Sequence, residues 1–371
     1  MKRTSWILAL VGLTSCVAEE AETADVVQAA KPPCPSWGCG ENSPILGPFN
    51  LHELDEPTWN GTAIVPGAEN EAHMRLRDYT KLGHHYLADV QVDHLVAIDP
   101  VTGATLSGTA LVGGSLIVEY PAKGVLPAGT AEISISHVSN TVALWQAPAG
   151  TVETYELHYT MPNVSLTAGG PLCLNPLPVD PKTGQAYDGE GTRWGKPFEA
   201  ILYTGDRYDA ATKTVTASTF ATSGNWFNIA CAGGALAKLY LNRHTTASAS
   251  PTINPSRGTR QAMLKMYTGD FCGTGTPFTQ QGTSLHWTSN SGLSSLGGGT
   301  ASVESMWNAT GAVCLTRHRL HGLSSIDYED MIQGGAGYTA ECNKPSCLTY
   351  LGYPSFSATR TLFLTQSAAL P

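Results

Sequence analysis

The chain has 371 residues, only 14% of them charged, and a formal net charge of −9. That length suits one large domain or two smaller ones. The acidic balance excludes a basic surface for nucleic acid. Gly, Ser, Thr and Ala abound, as in extracellular β-rich proteins with many turns and few long helices.

Lys2 and Arg3 precede a short apolar run from Trp6 to Leu13. This pattern predicts a signal peptide over residues 1–15. The run is far short of the ~20 residues a bilayer-spanning helix needs, and no later apolar stretch is long enough either. Leu13-Thr14-Ser15-Cys16 resembles a bacterial lipobox, which implies acylation of Cys16 as the first mature residue. Ordinary secretory cleavage beside an incidental cysteine is the alternative. Each buried acyl methylene contributes ~0.8 kcal/mol, so a multiply acylated cysteine anchors stably. The inner-membrane retention signal places Asp after that cysteine. Val17 therefore implies the outer membrane. Loss of Lys2 and Arg3 would take the net charge from −9 to −11. Residues 16–44 are expected to form a lipid-anchored tether with a Cys34/Cys39 loop. Within it, Glu19 to Lys31 is acidic and small, with no apolar period, and reads as flexible with no binding role.

A β-rich region is expected over 45–170. Leu87 to Ile98 alternates in part. Asp99, Pro100 and Gly103 then mark a turn, in which Asp caps, Pro presets φ and Gly takes a positive φ. Thr105 to Tyr120 reads as two short β runs broken at Gly113-Gly114. Thr130 to His137 and Val152 to Tyr159 alternate as strands. A second turn of the same type starts at Asp180. This rhythm predicts a mainly β fold of sandwich or barrel type.

The region 171–371 is expected to be Cys-rich. Ala230 to Asn242 and Arg257 to Tyr267 each read as a short helix with one apolar face, so the fold is α+β overall. Val303 to Arg319 could be strand or helix, and Ala358 to Thr365 looks like a strand. Removing Cys16 from the nine cysteines leaves eight, an even number that predicts disulfides in an oxidising compartment. Spacing suggests Cys34–Cys39 and Cys342–Cys347 as tight loops, with Cys173–Cys231 and Cys272–Cys314 as long ones. Zinc is disfavoured, since neither tight pair has zinc-finger spacing or a nearby His.

Met266 to Thr279, followed by Val303 to Arg317, resembles the ADYC domain of exported bacterial proteins. That family is named for a short Ala-Asp-Tyr-Cys motif. The matching residues here are Gly269, Asp270, Phe271 and Cys272. Phe271 keeps the ring of the family's Tyr and loses its hydroxyl. Glu304, Trp307, Gly311, Ala312 and Cys314 look like the downstream motif. Cys231 to Lys238 is similar to the family's cysteine-led helix, and Trp37 to Pro44 to a stretch near the start of such lipoproteins. The resemblance spans roughly Ala104 to Arg319. It implies an exported location, and no mechanism, cofactor or metal. Where the family often has two further cysteines, this chain has Leu239 and Met263, which are expected to pack side by side. Phe278 stands where the family often has a histidine, so a thiol–imidazole dyad within the motif is impossible.

Other candidates read as structural. Cys272 lacks a local base and is expected in a disulfide, and Asp270 is expected as a turn or helix-end cap. Arg317, His318, Arg319 and His321 lack a nameable third metal ligand. His84, His85 and His94 are discounted likewise. Asp180, Asp188 and Glu190 do not fit the twelve-residue calcium loop. Gly195-Lys196 lacks the phosphate-loop glycine, because Glu190 stands there. Hydrolase signatures are absent. The leading expectation is a non-enzymatic binding or structural module of the cell envelope. Its partners would be the membrane, through the lipid, and an envelope protein or glycan. One alternative is an exported hydrolase whose site combines distant residues, such as Glu304 with His318 or His286. The other is a glycan-binding module, which would display exposed Trp rings.

Overall fold

The structure, a computed structural model, describes residues 23–24, 44–162, 169–173, 199–216, 225–278, 286–289, 303–316, 342–347 and 363–366. Cys16, the Cys34–Cys39 loop, Asp180, Asp188, Glu190, Lys196 and the stretch from Arg317 to His321 lie outside the described residues.

The first strands are short: β1 (Thr23–Ala24), β2 (Ile45–Leu46), β3 (Phe49–Asn50), β4 (Glu53–Asp55), β5 (Thr58–Trp59) and β6 (Ile64–Val65). Two meanders follow, β7 (Arg75–Lys81), β8 (His84–Gln91), β9 (His94–Ile98) and β10 (Thr105–Ser107), then β11 (Ser115–Tyr120), β12 (Gly129–Ala143) and β13 (Thr151–Thr160), joined by the pairing of β11 with β7. Next come β14 (Gly169–Pro171), β15 (Ala200–Tyr203), β16 (Arg207–Asp209), β17 (Thr214–Thr216) and β18 (Trp226–Cys231). The helices α1 (Ala235–Leu241) and α2 (Arg257–Thr268) lead to β19 (His286–Ser289), β20 (Val303–Asn308), β21 (Gly311–Leu315) and β22 (Phe363–Gln366).

The fold is mainly β, as expected. One sheet of 11 strands follows the order β10-β9-β8-β7-β11-β12-β13-β15-β18-β4, with β14 beside β13. The pairings are antiparallel throughout. Local chemistry sets the turns. Lys81 pairs with His84, leaving Leu82 and Gly83 at φ 51° and 79°, the positive-φ pair of a tight hairpin. At the next turn but one, Asp99 Oδ1 accepts the N–H groups of Val101 and Thr102, and Gly103 takes φ 73°. Those bonds hold the exposed Asp99 carboxyl below its ordinary pKa.

The sheet curls on itself around a first core that includes Leu54, Leu76, Tyr79, Leu95, Ile133 and Leu202. Bonds cross this curl. Leu95 N–H donates to Tyr155 Oη at 2.7 Å, and Thr204 N–H to Val92 O at 2.9 Å. A second core lies on the other face of β13, β15 and β18. There Val152, Ile201 and Ala230 meet residues of both helices, with Trp307 and Leu315 from the second sheet. That five-stranded sheet has the order β1-β19-β22-β20-β21. In it, Thr23 and Ala24 pair antiparallel with Thr288 and Trp287. Part of the expected flexible tether is thus strand-paired.

Several boundaries differ from expectation. Ala230 and Cys231 complete β18 instead of opening a helix, because Gly233 at φ 82° turns the chain before α1. Val303 to Arg319, left open between strand and helix, forms the β20–β21 hairpin over its described part. β15 was not expected, and β14, β15 and β18 carry the large sheet past residue 170. Leu239 and Met263 are both fully buried in the second core, on helices that pack together.

His244 lies in this second core, with Nδ1 2.7 Å from Asn242 O and its ring edge-on to Trp287. Burial pushes its pKa from the ordinary 6.5 down to about 4. The unfolded chain therefore binds a proton that the folded chain refuses. This contribution is complete above about pH 6.5 and is lost as pH falls toward 4. Urea midpoints measured from pH 7 to 4 should fall, and His244→Gln should flatten that part of the slope.

Candidate functional site

The motif residues gather where α2 ends. Ser256 caps the start of α2, accepting the Thr259 N–H. At the other end Gly269 takes the left-handed conformation. Its N–H donates to Met266 O, and the Asp270 N–H reaches back to Lys265 O at 3.0 Å. These two bonds form a Schellman helix stop. The stop turns Asp270 inward, where its Oδ2 receives the Lys265 ammonium at 2.5 Å and the Gly275 N–H at 2.9 Å. Lys265 also donates to Thr212 O at 2.6 Å and to Gly273 O at 3.3 Å. Both charged side chains are almost wholly buried.

Phe271 is next and is fully buried. Its ring lies 5.0 Å from Trp307 and 6.3 Å from Phe278. Its carbonyl accepts the Ala312 N–H, tying the motif to the β20–β21 hairpin. The approach is close enough to demand glycine. A Cβ on Gly273 would meet Thr310 O at 2.0 Å, and one on Gly311 would meet Gly273 N at 2.9 Å. Glu304 is buried, and its carbonyl accepts the Thr316 N–H.

The cysteines require a correction. Cys173 pairs with Cys231, the pair that spacing suggested. Cys272 pairs with Cys342 instead of Cys314, and Cys314 pairs with Cys347, so Cys342–Cys347 does not form either. Residues 342–346 run without a turn, and Pro345 O accepts the Leu315 N–H. The segment delivers its two cysteines to different elements. One is bonded to the loop after α2, the other to β21. The loops closed span 70 and 33 residues, each stabilising by about 4 kcal/mol in the chain-entropy model. Lys344 rides on this segment. Burial lowers its pKa, and the nearby Asp270 charge opposes that.

Three further charged groups were not legible as units in the sequence. Arg260 Nη2 donates to Asp206 Oδ1 at 2.8 Å inside the second core. Arg207 lies over the Trp226 ring and donates to Asp55 at 2.7 Å and Glu53 at 3.4 Å. An open acidic cleft of about 220 Å³ beside it is lined by Glu53, Glu69, Glu71 and Asp209. At the β8–β9 turn, the half-exposed His94 lies 3.2 Å from Asp93 and 3.8 Å from Glu153, two mostly buried carboxylates. Tyr240 donates to Asp93 at 2.8 Å, and Tyr155 donates to Glu153. Burial foremost drives both phenols well above their ordinary pKa. His85 is bonded to Asp78 at 2.8 Å, and His84 stays exposed. Among the described residues, no three His, Cys, Asp or Glu side chains are arranged to hold a metal ion. The cavity under His52, Leu236 and Leu264 holds about 30 Å³, room for roughly one water.

A curled antiparallel sheet, two helices and a cysteine-stapled motif at a helix stop define the class of domain. The chain belongs to the ADYC domain family, whose model matches residues 108–321. No curated protein and no solved structure gives a significant match.

Two outcomes follow for the motif. Peptide mapping without reduction should recover Cys272 linked to Cys342 and Cys314 linked to Cys347. Removing one partner of a buried ion pair costs about 3–5 kcal/mol. Lys265→Met should therefore lower unfolding stability by that amount in urea titration, whereas Arg75→Met, which breaks an exposed ion pair with Glu69, should cost less than about 1 kcal/mol.

Proposed function

We propose that this protein is an exported lipoprotein, held to the outer membrane by acyl chains on Cys16, that acts as a non-enzymatic binding or structural module of the cell envelope. The observation that carries the non-enzymatic part is the employment of the motif. Asp270 is spent on Lys265, Phe271 on Trp307, and Cys272 on Cys342. A thiol in a disulfide is no nucleophile. Three disulfides among the described residues also favour an oxidising compartment. The N-terminal Lys2, Arg3, apolar run and Cys16 supply the address.

A second reading, an exported hydrolase, is favoured by one observation. His94 stands between Asp93 and Glu153, with Tyr155 and Tyr240 behind them. The glycan-binding reading needs exposed rings. Trp226, Trp287 and Trp307 are buried, and Trp59 and Trp145 are half-buried.

Metabolic labelling with an alkyne fatty acid in a bacterial host tests the anchor. The intact chain should take up label and fractionate with the outer membrane. Cys16→Ser should lose the label and leave the membrane fraction. An unlabelled intact chain, recovered as a free periplasmic protein, would overturn the lipoprotein reading.

A further inference from the structure

The three disulfides among the described residues differ in burial. Cys173 and Cys231 are fully buried in the first core, and Cys314 and Cys347 are fully buried as well. Cys272 and Cys342, by contrast, are both partly exposed at the margin of the second core. The chain beside them reaches solvent on both sides, at Thr274 and Thr276 after Cys272 and at Asn343 and Pro345 after Cys342. Thiol–disulfide exchange needs a thiolate to reach one sulfur of the bond, so access decides which bond reacts. A thiol in solution meets Cys272–Cys342 on the folded chain. It meets the other two bonds only after a core has opened.

The surroundings of this bond are held in place by other contacts. The Gly273 N–H donates to Asp270 O at 3.2 Å, the Phe278 N–H to Gly269 O at 3.1 Å, and the Ala312 N–H to Phe271 O at 2.9 Å. These bonds bracket Cys272 and fix its loop against α2 and the β20–β21 hairpin. On the other arm, Cys347 is bonded to Cys314, and Pro345 O accepts the Leu315 N–H at 2.9 Å. Opening Cys272–Cys342 therefore leaves both arms anchored, with two thiols set to close again.

We propose that Cys272–Cys342 is a redox-exchanging disulfide whose partner is the exposed dithiol of an envelope thiol oxidoreductase, while Cys173–Cys231 and Cys314–Cys347 are permanent staples. The partner's thiolate attacks one sulfur of the pair, the Cys272–Cys342 bond breaks, and the sulfur that leaves takes up a proton. The partner's second thiol then attacks the mixed disulfide. The partner departs with its own disulfide, and Cys272 and Cys342 are both thiols. Two electrons and two protons have passed from the dithiol to this chain, and the reverse sequence restores the bond. The envelope address of the partner rests on the exported location proposed above; the order in which the bonds open does not.

The full mature chain, purified without reductant, is treated with graded dithiothreitol near neutral pH, quenched with N-ethylmaleimide and mapped by mass. Cys272 and Cys342 should take the label at least about ten-fold faster than Cys173, Cys231, Cys314 and Cys347. Equal rates, or earlier opening of either buried pair, would overturn the redox role. A thioredoxin whose resolving cysteine is replaced by serine then probes the partner chemistry. It should be trapped as a mixed disulfide on Cys272 or Cys342, and a chain carrying Cys272→Ser and Cys342→Ser should trap none at those positions. No adduct on the unaltered chain, or an adduct confined to the buried cysteines, would also overturn it. If the double variant does not fold, the mapped adduct on the unaltered chain decides. Both measurements use purified protein, so a chain that fails fatty-acid labelling removes the partner's address and leaves the exchange itself standing.

Discussion

Two strands, β15 and β18, are buried on both faces, and the rest of the structure depends on that constraint. Ala200 and Leu202 point into the first core, while Ile201 and Tyr203 point into the second. Phe227, Ile229 and Cys231 face the first core, and Ala230 the second. A strand in this position has no polar side to offer water, so it reads as a continuous apolar run. It also leaves the helices no choice of docking face. They cover the outer side of these strands and in turn receive the second sheet through Trp307 and Leu315. The Cys173–Cys231 bond fastens the end of β18 to the chain beyond β14.

The family's motif belongs to the same packing problem. A helix that ends inside a core must satisfy its last carbonyls without water. Gly269 and Asp270 do this through backbone bonds, and Asp270 then neutralises Lys265 from the last turn. Phe271 fills the space under Trp307, and Cys272 fixes the exit of the chain. Four consecutive residues thus perform four distinct structural tasks. The close backbone approaches at Gly273 and Gly311 explain why glycine flanks the motif and opens the β21 strand.

The carboxyl-rich sites obey a different logic. Glu56, Asp93 and Glu153 all lie around the β8–β9 hairpin, and each meets a backbone N–H or a tyrosine hydroxyl. Side-chain bonds of this kind close a curled sheet where the regular ladder stops.

Much of the fold was legible from local pattern. Alternation in Thr130 to His137 and Val152 to Tyr159, the turn chemistry of Asp99 to Gly103, and the apolar faces around Leu239 and Met263 each depend on neighbours a few residues away. The motif residues were legible as a set, and Asp270 as a helix-end residue. Lys265 was not read as its partner, although a basic residue in the last turn ahead of Gly-Asp was the available signal. What the sequence by itself determined is therefore the β-rich class and the two helices and their stop. Tertiary structure alone decided which cysteines meet, that β15 is a strand, and that His94 joins Glu153 or Glu56 joins Val90. The physical reason is distance along the chain. Spacing favours the nearest cysteine as a partner, but residues 342–346 form no turn, so Cys342 and Cys347 reach past each other to Cys272 and Cys314.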